Sequence, residues 1–246
     1  MIMRPLREII DGMHRLEHAW LGTTPADLEW SSMLRRVKPD PLDAWCHVCG
    51  SSLPGAGCEC WCEQRSCDAV STFNRICRLA RYDRFMSTLL KQFKYDGHWI
   101  IGRVLGRLLG RQLTCMIPNL RPGAVVVPIP SPWIRLVSSR LDHASLIARS
   151  LCGELSLCMH RPIRQVAGPR QVGLDRSSRM TRGDRFRPGW LRSSREQIRR
   201  KQVILVDDVR TTGKTLDQAS ATLHALGACE VIAAVVAVAD QREAYI

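Results

Sequence analysis

The sequence predicts an α/β protein, an open and mostly parallel sheet flanked by helices and preceded by a small cysteine-rich module. Three observations carry that prediction. Val203–Val206 and Val231–Val238 are almost uninterrupted apolar runs, as parallel strands covered on both faces require. Between them Leu216, Ala219, Leu223 and Leu226 recur at spacings of 3, 4 and 3, one apolar helix face, and Gly227 stands where a helix C-terminal glycine belongs. Finally, six of the eleven cysteines crowd into Cys46–Cys67.

The remaining elements follow in order. Residues 1–45 read as a polar helical extension with turn chemistry at Thr23-Thr24-Pro25 and Lys38-Pro39-Asp40-Pro41. Residues 46–72 form the Cys-rich module, and residues 73–246 the main domain. Within it, Leu89–Leu113 reads as helical segments around Tyr95-Asp96-Gly97, Ala124–Ile129 as a buried strand and Leu146–Leu157 as a helix. Residues 161–201 show little periodicity before the strand–helix–strand unit that closes the chain.

Composition narrows the function. With 45% hydrophobic residues the 246-residue chain can bury a sizeable core. The N-terminal stretch MIMRPLREIIDGM lacks the apolar run of a secretory leader, and Val231–Ala239 falls short of the roughly 20 residues that span a bilayer. A cytoplasmic protein without membrane insertion is expected. Cysteines clustered in such a chain point to metal rather than disulfides. The net charge of +13 is concentrated: residues 161–201 hold 13 Arg and Lys against 3 Asp and Glu, which suits a polyanion such as single-stranded DNA as partner.

The stretch with most chemistry is Val203–Thr215, VILVDDVRTTGKT. It is not a triphosphate-binding P-loop, because the first glycine of that motif would fall on Asp208. A phosphate monoester fits better. Thr211, Thr212, Gly213, Lys214 and Thr215 connect a strand to a helix N-terminus, where unpaired N–H groups and the helix dipole attract an anion. Asp207 and Asp208 would repel a bare phosphate, but they accept hydrogen bonds from sugar hydroxyls. A ribose 5-phosphate carries both parts.

This stretch closely resembles the phosphoribosyl pyrophosphate (PRPP) motif of type I phosphoribosyltransferases. The order of further motifs resembles the ComF branch: Phe93-Lys94-Tyr95, Val127-Pro128-Ile129-Pro130, Gln171-x-Gly173-Leu174-x-Arg176 and Arg182-Gly183 before Phe186. The chain departs from that branch at Arg140-Leu141-Asp142-His143, where the family commonly carries Arg-Gly-Phe/Tyr-Asn-Gln. The resemblance implies a type I phosphoribosyltransferase-like fold that binds PRPP and transfers its 5-phosphoribosyl group to an acceptor, with loss of pyrophosphate. Asp207 and Asp208 would serve the ribose as the catalytic pair. Pyrophosphate would lie around Pro128–Ser131, with Pro130 and Ser131 in its loop and Lys94 and Arg140 as candidate cations; Mg²⁺ would accompany PRPP. No nucleophile or general base stands out, although His143 is a candidate.

Cys46-His47-Val48-Cys49 is a good half-site for structural Zn²⁺. Spacing alone leaves the second half open among Cys58, Cys60, Cys62 and Cys67, and the resemblance favours Cys62 and Cys67. An alternative function is a non-catalytic PRPP or nucleotide sensor, or a protein handling single-stranded DNA during competence.

Overall fold

The computed structural model describes residues 33–53, 71–96, 98–131, 142–166, 185–190 and 192–239. The chain divides into two units, residues 1–38 and 39–246. In the first, only residues 33–38 are described; they make a turn in which the Arg36 and Val37 N–H groups donate to the Met33 and Leu34 carbonyls.

The second unit is built on a five-stranded, wholly parallel sheet. Its strands are β1 (Arg75–Arg81), β2 (Val125–Pro128), β3 (Cys158–Met159), β6 (Gln202–Arg210) and β7 (Glu230–Val238), in the spatial order β1-β7-β6-β2-β3. Helices α1 (Arg84–Tyr95) and α2 (Trp99–Met116) join β1 to β2, α3 (His143–Leu155) precedes β3, and α5 (Lys214–Ala225) joins β6 to β7. The basic segment contributes a separate antiparallel hairpin, β4 (Ile163–Gln165) with β5 (Phe186–Pro188), and the short helix α4 (Arg192–Glu196). Neither was expected, because three-residue strands rich in arginine carry no period to read.

Alternation along the strands gives the sheet two faces. Val203 and Leu205 of β6, Val231, Ala233 and Val235 of β7 and Val125 and Val127 of β2 share a core with Leu216, Ala219 and Leu223 of α5. Ile163 and Phe186 anchor the hairpin in that same core. The opposite face carries α2 and α3, which pack on each other and on the sheet. Their close approach is written in the spacing Gly102, Gly106, Gly110 along α2. A Cβ on Gly102 would meet the Phe93 ring at 2.6 Å, one on Gly106 would strike the Ile147 carbonyl, and one on Gly110 would touch Glu154.

The first half of the cysteine module is fastened to the sheet edge. The Ile76 N–H donates to the His47 carbonyl at 2.8 Å, so the knuckle extends the exposed edge of β1. Behind it, the buried Arg78 guanidinium bonds the Gly50 carbonyl at 2.8 Å, pairs with Asp40 at 2.7 Å and lies over the buried Trp45 ring. Among the described residues no helix is long and apolar enough to cross a membrane.

Candidate ribose-phosphate site

The strand order fixes where a ligand belongs. From β2 the chain continues to β3 on one side; from β6 it continues to β7 on the other. The connections therefore diverge between β2 and β6, and open α/β sheets bind ligands beyond the C-terminal strand ends at such a point. Pairing between β2 and β6 ends at Pro128–Val206, and the Ile129 N–H donates to the Val206 carbonyl at 2.8 Å. Pro130 and Ser131 follow from β2, and Asp207, Asp208 and the Thr211–Thr215 loop follow from β6.

The two acids stand on a strand, not in a loop. β6 runs four residues beyond its last pair with β2, held on its other side by β7 through Asp207–Val235, Val209–Ala237 and Arg210–Val238. Sequence reading ended that strand at Val206, because the apolar run stops there; the partner strand extends it. Consecutive strand residues point to opposite faces, so the acids acquire different neighbours. Asp208 meets Lys94 of α1, Nζ to Oδ2 at 2.6 Å. Asp207 feels the cations Lys94 and Arg185, and its Oδ1 accepts from the Asp208 N–H at 2.9 Å. Burial, reinforced by the adjacent Asp208 charge, pushes the Asp207 carboxyl up to about 7.

The loop after β6 turns sharply at Gly213, whose φ of 78° is left-handed and open to glycine at little cost. Gly213 is also the N-cap of α5 and offers no side-chain cap to its first turn. Thr211, Thr212 and Lys214 are exposed around it, while Thr215 is half-buried. Asp217, one turn further, is engaged elsewhere: it accepts from the Thr72 N–H at 3.2 Å.

Beside the acids, Asp142 caps α3. It accepts from the Ser145 N–H at 3.3 Å, the Ser145 hydroxyl at 2.6 Å and the Ser131 hydroxyl at 3.4 Å, and Arg161 lies 3.3 Å from its other oxygen. Ser131, expected in a pyrophosphate loop, is thus tied to the start of α3. His143 stands edge-on to the Phe93 ring, centroids 4.8 Å apart. Its Nε2 is shielded and makes no hydrogen bond, and burial holds the imidazole below its ordinary pKa despite the nearby Asp208.

The structure brings together Lys94, Asp207, Asp208, the threonine loop, Pro130 and Ser131 at one end of the sheet. Arg140, Cys62 and Cys67 lie outside the described residues. Sequence reasoning missed Arg185, Arg161 and the capping role of Asp142; the fold brings Arg185 to Thr215 from 30 positions away. The Cys46–Cys49 half-site has the turn a metal knuckle needs. The Val48 N–H donates to Cys46 Sγ at 3.4 Å, the Gly50 N–H donates to the Cys46 carbonyl at 2.7 Å, and Gly50 sits at φ 77°. A hydrogen bond shared with Cys49, reinforced by burial, pushes the Cys46 thiol far up. Among the described residues no three metal-ligating side chains meet.

Comparison with known proteins agrees with the geometry. The phosphoribosyl transferase domain family matches residues 143–245. Competence protein F of Haemophilus influenzae is 26% identical over 206 residues, spanning 82% of this chain and 86% of its own length. The crystal structure of TT1426 from Thermus thermophilus aligns with 17% identity over 57% of this chain and 84% of its own, at a TM-score of 0.34, too low to argue from. The family match begins at α3, yet β1 and β2 complete the same parallel sheet. With its open parallel sheet and acidic strand end before a threonine–glycine loop, the chain carries a match to the phosphoribosyl transferase domain over residues 143–245 and is similar to Competence protein F.

Proposed function

We propose that the protein binds PRPP and transfers the 5-phosphoribosyl group to an acceptor, releasing pyrophosphate. The observation that carries this is the pair of adjacent carboxylates at the switch point, on opposite strand faces and next to a phosphate-sized loop, with one of them matched to Lys94 at 2.6 Å. The loop N–H groups and threonine hydroxyls hold the 5-phosphate, and Asp207 and Asp208 accept from the ribose hydroxyls. Lys94 rests on Asp208 and has to share its charge with pyrophosphate as the leaving group departs. Mg²⁺, when bound with PRPP, neutralises charge on the pyrophosphate oxygens. Arg140 is a second cation for that group. Cys46 and Cys49, together with Cys62 and Cys67, would hold a structural Zn²⁺, which would brace the knuckle against the edge of β1. The thiol-rich composition fits a reducing cytoplasm.

Calorimetric titration with PRPP, with and without Mg²⁺, tests the reading. Micromolar binding that depends on Mg²⁺ and disappears in the Asp207→Asn, Asp208→Asn double variant is expected. A folded protein that takes up no PRPP overturns it.

One observation favours a second reading, single-stranded DNA handling as in competence. Trp190 is 82% exposed and carries the Arg164 guanidinium 4.1 Å above its ring, in the basic segment 161–201. An aromatic–arginine platform suits base stacking. Binding through phosphates must weaken steeply with salt. Affinity that is flat between about 50 and about 200 mM salt, or unaffected by Trp190→Ala, rejects it.

A further inference from the structure

The acids and Lys94 account for the ribose and pyrophosphate ends of the site, but they leave a guanidinium at the phosphate loop unused. Arg210 is the last residue of β6. Its backbone is fixed: it pairs with Val238, and its carbonyl accepts from the Ala239 N–H at 2.9 Å. The half-buried side chain lies against the loop that the strand leads into. A Cβ on Gly213 would stand 3.0 Å from Arg210 Nε, 3.3 Å from Nη2 and 3.5 Å from Cζ. Both nitrogens are nearer than the carbon between them, so the Nε–Nη2 fork is the edge turned toward the N-cap of α5. Glycine at position 213 leaves the guanidinium that room.

That fork is unsatisfied. Nε is shielded from solvent and makes no hydrogen bond. Among the described residues no carboxylate comes within ion-pair distance of Arg210. The acid that faces it is Asp217 on the first turn of α5, whose Oδ1 accepts from the Thr72 N–H at 3.2 Å. A shielded donor without an acceptor costs stability, and a charged one most of all, so the group calls for an acceptor from outside the chain. A guanidinium fork matches two oxygens of a phosphate. A helix N-terminus attracts any anion; a fork beside it favours a tetrahedral, doubly charged one. We propose that Arg210 is a specificity-determining residue of the ribose-phosphate site: its Nε–Nη2 fork takes two oxygens of the 5-phosphate at the Thr211–Thr215 loop, and the site thereby selects sugar phosphates over free sugars and sugar acids. The inference rests on the reading of that loop as the 5-phosphate site.

Two titrations separate the inference from the reading beneath it. The first follows ribose 5-phosphate, and inorganic pyrophosphate with Mg²⁺ as a control, by ³¹P line width in the wild type, Arg210→Met and Arg210→Lys. The second follows PRPP with Mg²⁺ by calorimetry in the same three proteins. Arg210→Met is expected to weaken ribose 5-phosphate about ten- to a hundredfold, and Arg210→Lys, which keeps the charge without the fork, to recover part of the loss. Pyrophosphate should bind all three alike, because it belongs at the Lys94 end; a merely structural arginine would weaken both probes together. Equal ribose 5-phosphate affinity in wild type and Arg210→Met, a matching loss of pyrophosphate, or no ribose 5-phosphate binding to the wild type overturns the proposal. PRPP bound equally by wild type and Arg210→Met removes Arg210 and keeps the transferase reading. Ribose 5-phosphate binding that depends on Arg210, without PRPP binding, keeps Arg210 and removes that reading. In ligand-free buffer Arg210→Met should melt no earlier than the wild type, since the folded chain loses no hydrogen bond of Nε; if it does melt earlier, the pyrophosphate control on the folded variant decides.

Discussion

Asp207 and Asp208 are chemically identical neighbours that the strand makes unequal. Asp208 is neutralised by Lys94 at 2.6 Å, whereas Asp207 is pushed up to about 7 by burial beside a second carboxylate. The sign of the consequence is definite. An unfolded aspartate titrates near 3.9, so the folded state holds the Asp207 proton more tightly. Its contribution to stability is present below about pH 4 and is lost as pH rises through about 7. At pH 8 the protein therefore keeps a desolvated charge at a cost, and Asp207→Asn should raise the melting temperature there, by on the order of 2 kcal/mol of stability. The same variant should lose ribose-phosphate binding. In the wild type, affinity should rise as pH passes through about 7. A melting temperature unchanged by the substitution at pH 8 would mean that the carboxylate is well solvated. Lys94→Met tests the other acid: PRPP should weaken about tenfold or more, and ribose 5-phosphate, which has no pyrophosphate, much less.

At the scale of elements, two glycine positions carry the architecture. Gly213 turns the chain into α5 at φ 78°, and a Cβ there would press on the Arg210 guanidinium at 3.0 Å. Gly213→Ala should cost about 1–2 kcal/mol of stability and weaken phosphate, read by melting and by ³¹P titration. Gly106 sits where α2 meets the α3 backbone at Ile147. Gly106→Ala should cost about 1–3 kcal/mol by forcing the helices apart, and should displace His143 and Asp142 at the start of α3 along with it. The glycine spacing stood in the sequence, but its purpose did not. Glycine every four residues marks one helix face; which partner needs the space is decided by the fold.

Across the molecule, the knuckle and the sheet behave as one structure. Arg78 is buried and ties Trp45, Gly50 and Asp40 to β1, and β1 is the edge next to β7, whose other neighbour β6 bears the acids. If Cys46, Cys49, Cys62 and Cys67 bind Zn²⁺ as proposed, chelation should lower the melting temperature of the whole domain by about 5 °C or more, and not merely release a tail. Retention of the full melting temperature in a sample shown to be zinc-free would separate the knuckle from the fold.

The sequence by itself determined the class of fold and named the residues proposed for the site. Apolar parallel strands, one amphipathic helix, and a strand–Asp-Asp–Thr-Thr-Gly-Lys-Thr–helix order are local patterns, set by periodicity and turn chemistry within about forty residues. Tertiary structure decided the rest. Pairing with β7 carried β6 through both acids, although the apolar signal had stopped at Val206. It also brought Lys94 from α1 onto Asp208 and within reach of Asp207, with Arg185 as a further cation near Asp207. Those cations lie far from the motif in the chain, in a helix and an arginine-rich segment where many charges look alike. Only packing onto opposite sheet faces distinguishes them, because a charge acts through distance in space, and distance in space is what a linear pattern does not contain.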